Sequence, residues 1–180
     1  MSQTDDLLRL GRKYSPKDRR QIDINALYRE QSLKRALVGG LAALAILNVL
    51  WISGSLILDQ IFVPFSVLQG FFIGRAVRHY GHGIDWQFSA LAAVIAAVGA
   101  FTGSFLVALF LTGREFDTFA LSLVTEISWH TIQSFSVNTF GAVGTVYAGM
   151  AAVLAAFFAR RKLDRDERIA LRRHNEEAGE

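Results

Sequence analysis

The sequence predicts an all-α fold: an integral membrane four-helix bundle, with cytoplasmic helices at both termini and an interfacial helix on the outer face. Three observations lead to this prediction. Of the 180 residues, 52% are hydrophobic, and they are massed in long uncharged blocks instead of being spread with a period of 3.6 or 2. Lys and Arg lie almost entirely beyond alternate ends of these blocks. Small residues recur at four-residue intervals inside the blocks, as is typical of helices that pack in lipid.

Four apolar blocks define the predicted transmembrane domain, residues 36–160. A bilayer core about 30 Å thick requires about 20 apolar residues in a helix. Three blocks meet this length without a charged residue, and the second is shorter unless Arg75 snorkels at its end. The predicted spans are 36–58, 61–77, 87–112 and 138–159.

The distribution of positive charge predicts the topology. Of the 19 Lys and Arg residues, nine precede the first span, two follow the second and seven follow the last, whereas Arg114 lies between the third and fourth. Short loops rich in Lys and Arg stay in the cytoplasm. We therefore expect a bacterial inner-membrane protein with both termini inside. The pI near 9.5 then indicates contact with anionic lipid headgroups and requires no nucleic acid.

The two termini are predicted to be helical and to lie outside the bilayer. Residues 1–35 read as basic amphipathic helices, the second running from about residue 16 directly into the first span. Such a helix could lie on anionic headgroups or could dock a cytoplasmic partner. Residues 161–180 read as a charged helix. Because the first apolar block begins after 35 mostly polar residues, we expect it to act as its own insertion signal.

The segment 114–137 is amphipathic in its first half but contains Asp117, Glu126 and His130. Placing these side chains in lipid would be costly, and a fifth span would move the basic C-terminus outside. The segment is therefore predicted to be an interfacial or re-entrant helix on the outer face.

Small residues predict where the spans pack. A glycine or alanine at every fourth position lets two helix backbones approach closely. These contacts could be used within the bundle, or one face could be left for another subunit. The predicted packing positions are Gly70, Gly74, Ala92, Ala96, Gly99, Gly103, Gly144, Ala148 and Ala152.

The polar residues predict no catalytic group, no cofactor and no enzyme activity. Without Cys, a metal site would depend on other side chains, and the weak candidates are His79, His82, Glu126 and His130. The simpler interpretation is that these residues lie where helices leave the membrane or on an exposed surface. Arg75, Arg78, Trp86, Arg160 and Arg161 are predicted to be anchors at lipid headgroups.

One motif carries a resemblance. The run Gly70-x-x-x-Gly74-Arg75-Ala76-Val77-Arg78, followed by Gly81-x-Gly83 and a further apolar span, resembles a hairpin found in small uncharacterised bacterial multi-pass membrane proteins. The resemblance covers residues 70–112. It implies a bacterial inner membrane and no particular activity.

Three functions remain open, of which a membrane enzyme that uses the histidines is the least favoured. The first is a non-enzymatic structural or assembly subunit that packs against other membrane subunits or copies of itself. The alternative is a homo-oligomeric channel or transport protein. A coupled carrier usually has an acidic or basic residue within the membrane, and the spans have none away from their ends. The uncharged candidates for lining a pore are Asn48, Ser53, Ser55, Gln69, Thr102 and Ser104.

The topology is tested by reporter fusions. Fusions at residue 10, within 79–84 and after residue 175 should report a cytoplasmic location, and a fusion near residue 118 should report an external one. An external C-terminus would mean that the segment 114–137 crosses the membrane.

Overall fold

The computed structural model describes residues 29–118, 120–124, 127–161 and 169, and all regular structure in them is helical. The chain divides into two compact units, one of which is Arg29–Lys162. Its elements are α1 (Leu33–Leu58), α2 (Phe65–Gly81), α3 (Trp86–Glu115), α4 (Ala120–Leu123), α5 (Trp129–Ser134), a π-helix (Phe135–Phe140) and α6 (Gly141–Ala159). The predictions for residues 1–28 and 162–180 lie outside the described residues, apart from helical Ile169.

Three helices are long and apolar enough to cross a membrane: α1, α3 and the continuous run Trp129–Ala159. These helices are compatible with a multi-pass membrane protein. Helix α2 has only 17 residues, which corresponds to about 25 Å of helix.

We predicted that a helix from about residue 16 would run directly into the first span. In the structure the helix is interrupted before α1. Gln31 and Ser32 are not helical, and Ser32 has an extended backbone with φ of −141° and ψ of 104°. Its hydroxyl accepts a hydrogen bond from the Arg35 N–H at 3.3 Å. Ser32 is therefore an N-cap that starts a new helix at Leu33.

The first connection is longer than the predicted Asp59–Gln60 turn. Asp59 adopts a left-handed conformation with φ of 53°, and the N–H groups of Asp59 and Gln60 both return to the Ser55 carbonyl. Pro64 then disfavours helical backbone at Val63, so α2 begins only at Phe65. At its other end, α2 continues past the predicted end at Val77 and stops at Gly81, where His82 has a left-handed backbone.

The prediction of one helix over 114–137 is wrong. Helix α3 continues to Glu115 and ends where Asp117 has φ of 51°. The Thr118 N–H reaches back to the Gly113 carbonyl at 2.8 Å, closing a Schellman motif. Ser128 then caps α5 through a capping box with Thr131. An amphipathic pattern does not reveal these stop and start signals.

The last helix is longer than predicted because α5 continues through the π-helix into α6. On the π-helix, Phe135 and Phe140 both contact Phe101 of α3, with ring centroids 5.7 and 5.3 Å apart. The wider π turn brings both rings to the same side. Gly141, with φ of 50°, joins this turn to α6 in a conformation that favours glycine.

Helices α2 and α3 form the centre of the bundle. They contact each other, and both α1 and α6 pack against the two of them. Wherever the helices meet, the buried side chains are mostly small. The core consists of Ala36, Leu47, Ile73, Val77, Phe88, Ala92, Ile95, Ala96, Ala151, Ala155 and Ala159.

Helices α2 and α6 meet backbone against backbone. A Cβ atom added at Gly74 would lie 2.5 Å from the carbonyl oxygen of Ala155, and one added at Gly70 would overlap the carbonyl oxygen of Ala151. Ala151 and Ala155 are fully buried. The two backbones therefore touch, as small residues in lipid-facing bundles permit.

The other predicted packing positions divide into two groups. Ala92, Ala96, Gly99 and Gly103 of α3 are buried. On α6, the residues that meet α2 are Ala151 and Ala155, which lie on a face next to the predicted one. Ala148 and Ala152 are therefore only half-buried. Gly144 is buried, and the atoms nearest to a Cβ added there belong to the ring of Phe140 on the preceding turn.

Replacing Gly74 with Leu tests the contact between α2 and α6. The new side chain meets backbone, which cannot rotate away, so we expect a loss of about 1–3 kcal/mol in unfolding free energy. The measurement is unfolding of the purified protein in mixed detergent micelles. Gly54→Leu is the control, because a Cβ at Gly54 meets nothing within 4 Å. Equal stability of the two variants would contradict the observed packing.

Candidate functional site

The chemically distinctive region is the end of the bundle where α1 and α3 begin and α2 and α6 end. We call it the basic end. Arg75, Arg78 and His79 lie on the last turns of α2, His82 follows α2, and Arg161 follows α6. These five side chains line one cavity of 440 Å³, called here the basic cavity.

Backbone contacts hold the loop after α2 from both sides. The Ser32 N–H donates to the Gly81 carbonyl at 3.0 Å, and the Arg161 N–H donates to the Gly83 carbonyl at 3.1 Å. The Gln31 side chain accepts from the Ile84 N–H at 3.5 Å. The segments before α1 and after α6 thus both hold the connection between α2 and α3, residues 82–85, in place.

Gly81 at the end of α2 and Gly83 in the loop after it both permit close packing. A Cβ at Gly83 would overlap the ring of Phe88, and one at Gly81 would lie 2.7 Å from the Ala36 Cβ. The residue with left-handed backbone is His82, with φ of 49°. Its N–H donates to the Arg78 carbonyl at 3.1 Å, so the turn itself does not depend on glycine.

The charge of the basic cavity is only partly balanced. Arg161 forms an ion pair with Glu30 at 3.2 Å. The Arg75 guanidinium lies 5.8 Å from the centre of the Phe71 ring, a cation–π contact. Among the described residues no carboxylate lies within ion-pair distance of Arg75 or Arg78. The cavity therefore suits an anion.

The remaining predicted anchors have different positions. Arg160 donates to the Ser89 hydroxyl at 3.1 Å and ties the end of α6 to the start of α3. Trp86, the first residue of α3, is 70% exposed. Arg114 lies at the opposite end, where it donates to the Leu56 carbonyl at 2.7 Å and lies 3.7 Å from Asp59.

The described candidate metal ligands, His79, His82 and His130, form no metal site together. His79 and His82 both line the basic cavity, but the described residues contain no group of three or more potential ligands. His130 is exposed at the start of α5. Glu126 lies outside the described residues, so its assignment as a candidate ligand stays a prediction.

Of the six uncharged candidates for lining a pore, three are buried, Asn48 and Thr102 are half-buried and Ser53 is exposed. Gln69 is fully buried, and its amide donates to the Asn48 side chain at 2.8 Å. Ser55 and Ser104 are also buried. Ser53 and Thr102 each donate to a carbonyl four residues earlier, at 2.9 Å.

Sequence reasoning missed two features of the basic end. It assigned Arg75, Arg78 and Arg161 to lipid headgroups as separate anchors and did not predict that they share a cavity. It also missed an apolar groove of 460 Å³ between α1 and α2, which Arg75 and His79 line together with Ala42, Ile46 and Phe72, among others. No sequence pattern connects residues so far apart.

Searches against protein-family models, curated proteins and solved structures found no match. The function must therefore be inferred from the chain's own geometry.

The buried amide pair can be measured with a double-mutant cycle. Asn48→Leu and Gln69→Leu each leave a polar partner in an apolar interior, so each should destabilise the fold, and the double variant should lose less than their sum. We expect a coupling of about 0.5–1.5 kcal/mol in unfolding free energy. Pairing Gln69→Leu with Ser53→Ala should give no coupling. Strict additivity of the first pair would contradict the hydrogen bond.

Proposed function

We propose that the chain is a non-enzymatic multi-pass membrane protein that acts as a structural or assembly subunit, packing against partner proteins or copies of itself. Its placement in a bilayer is supported by the outward-facing side chains. Large apolar residues are highly exposed on both outer helices, for example Ile57 at 83% and Phe157 at 70%. Such surfaces are unfavourable in water and favourable against lipid tails.

We take α2 to be the fourth span despite its length. Like α3, it contacts all three other long helices, so much of its surface packs against protein and less of it needs to face lipid. Arg75 and Arg78 near its end can extend their charges to the headgroups. By the charge rule, the basic end is cytoplasmic in a bacterial inner membrane.

The observation that carries the assembly function is an open small-residue face on α6. Its members are exposed or half-buried in the single chain. They are Ala142, Thr145, Gly149, Ala152 and Ala156. A Cβ at Gly149 would meet nothing within 4 Å, and the Thr145 hydroxyl is satisfied by the Gly141 carbonyl at 2.8 Å. Such a face permits close approach of another helix in lipid.

The channel alternative is less well supported. In a homo-oligomeric pore, the lining side chains must face the symmetry axis and must therefore lie on the surface of each protomer. Ser55, Gln69 and Ser104 are instead buried within the single chain. The exposed surface offers small and apolar side chains for contacts between helices.

Gly149→Leu tests the assembly function. Because the site is open, the substitution should leave the fold of one chain intact while obstructing a helix that docks on this face. We expect the complex or oligomer extracted in mild detergent to dissociate or to lose its partner, as measured by size-exclusion chromatography with light scattering.

Gly54→Leu serves as the control, since it makes the same change at an open position on α1. It should leave the assembly unchanged. If wild-type protein is a monomer without partners after mild extraction, or if Gly149→Leu assembles as wild type does, the proposed role of this face fails.

A further inference from the structure

We propose that the basic cavity and the adjoining groove form one binding site for an anionic phospholipid, with the headgroup phosphate in the cavity and an acyl chain in the groove. This inference rests on the membrane placement proposed above. It adds a specific, stoichiometric ligand to a protein whose surface otherwise contacts lipid in general.

The cavity has the composition that phosphate recognition requires. Three guanidinium groups and two imidazoles converge from three separate parts of the chain: α2, the loop after it and the residue pair after α6. The planar guanidinium group donates two parallel hydrogen bonds to phosphate oxygens. A volume of 440 Å³ lies within the usual range for small-molecule pockets.

Among the described residues, the protein's own carboxylates leave positive charge in the cavity that a bound anion can balance. Glu30 neutralises at most one arginine, Arg161. Carbonyl oxygens at the end of a helix would repel an anion, but several here already accept backbone hydrogen bonds, namely those of Arg78, Gly81 and Gly83. Arg75 and Arg78 therefore retain positive charge for a ligand.

The groove distinguishes a phospholipid from free phosphate. It runs between α1 and α2 from Gly39 to Leu47, about 12 Å along the helix axis. Small residues on α1, Ala42 and Ala43, leave room that Phe72 borders on the opposite side. Arg75 and His79 line both the groove and the cavity. One lipid molecule can therefore place its charged headgroup in the cavity and its acyl chain in the groove.

The headgroup contact is tested by titrating the purified, delipidated full chain in a non-ionic detergent. Native mass spectrometry then measures bound dioleoylphosphatidylglycerol and dioleoylphosphatidylcholine. Wild type should bind one phosphatidylglycerol in preference to phosphatidylcholine. Arg75→Gln with Arg78→Gln should weaken phosphatidylglycerol binding about 30-fold, since each basic residue contributes about fivefold. Lys34→Gln with Arg35→Gln removes the same charge at the same end, outside the cavity, and should change binding less than threefold.

The acyl contact is tested by filling the groove. Ala42→Phe should weaken phosphatidylglycerol binding about tenfold or more without changing the binding of inorganic phosphate, because the cavity is untouched. Ala45→Phe, exposed on α1 outside the groove, should bind lipid as wild type does. If inorganic phosphate binds as tightly as phosphatidylglycerol and Ala42→Phe has no effect, the site is a phosphate site and the lipid assignment is overturned.

The two proposals fail in different ways. Recovery of the chain in the soluble fraction would refute the membrane placement and with it the lipid site. An integral membrane protein that binds both lipids equally, or whose arginine variant equals the Lys34 and Arg35 control, would refute the lipid site alone. The assembly role is scored separately, because Gly149 lies outside both the cavity and the groove.

Discussion

The contact between α2 and α6 is the constraint on which the rest of the bundle depends. Helix α2 is the shortest of the four long helices and carries the most polar side chains near its end. It can occupy the centre only because Gly70 and Gly74 allow its backbone to touch Ala151 and Ala155. Dispersion attraction between the closely spaced backbones then stabilises this contact, which in other helix pairs would come from packed large side chains.

This placement determines what the neighbouring side chains can do. Gln69, beside Gly70, is fully buried and must find a partner inside, which Asn48 of α1 supplies. Arg75, one residue after Gly74, emerges near the end of the helix with Arg78. The same close contact therefore places a hydrogen-bonded polar pair in the middle of the bundle and a charged cavity at its basic end.

The basic end brings together parts of the chain that are distant in sequence. The loop after α2 is held by Ser32 before α1 and by Arg161 after α6. Their hydrogen bonds occupy carbonyls that would otherwise repel an anion, and they position Arg161 beside residues of α2. The loop therefore supports the helix ends and completes the cavity. The same loop residues thus contribute both to the packing of the bundle and to the proposed lipid site.

The sequence by itself determined the all-helical class, the approximate positions of the apolar helices and the concentration of positive charge, because composition and periodicity act locally. It predicted the α2 glycines as packing positions for the same reason. It did not determine where helices begin and end at Ser32, Pro64, Asp117 and Ser128, although these residues are recognisable caps and breakers once the structure shows them. Only the tertiary structure decided which face of α6 meets α2, that Asn48 pairs with Gln69, and that Arg75, Arg78 and Arg161 share one cavity. Each of these depends on how separate helices rotate and align against one another, and small-residue faces permit several such alignments until the packing selects one.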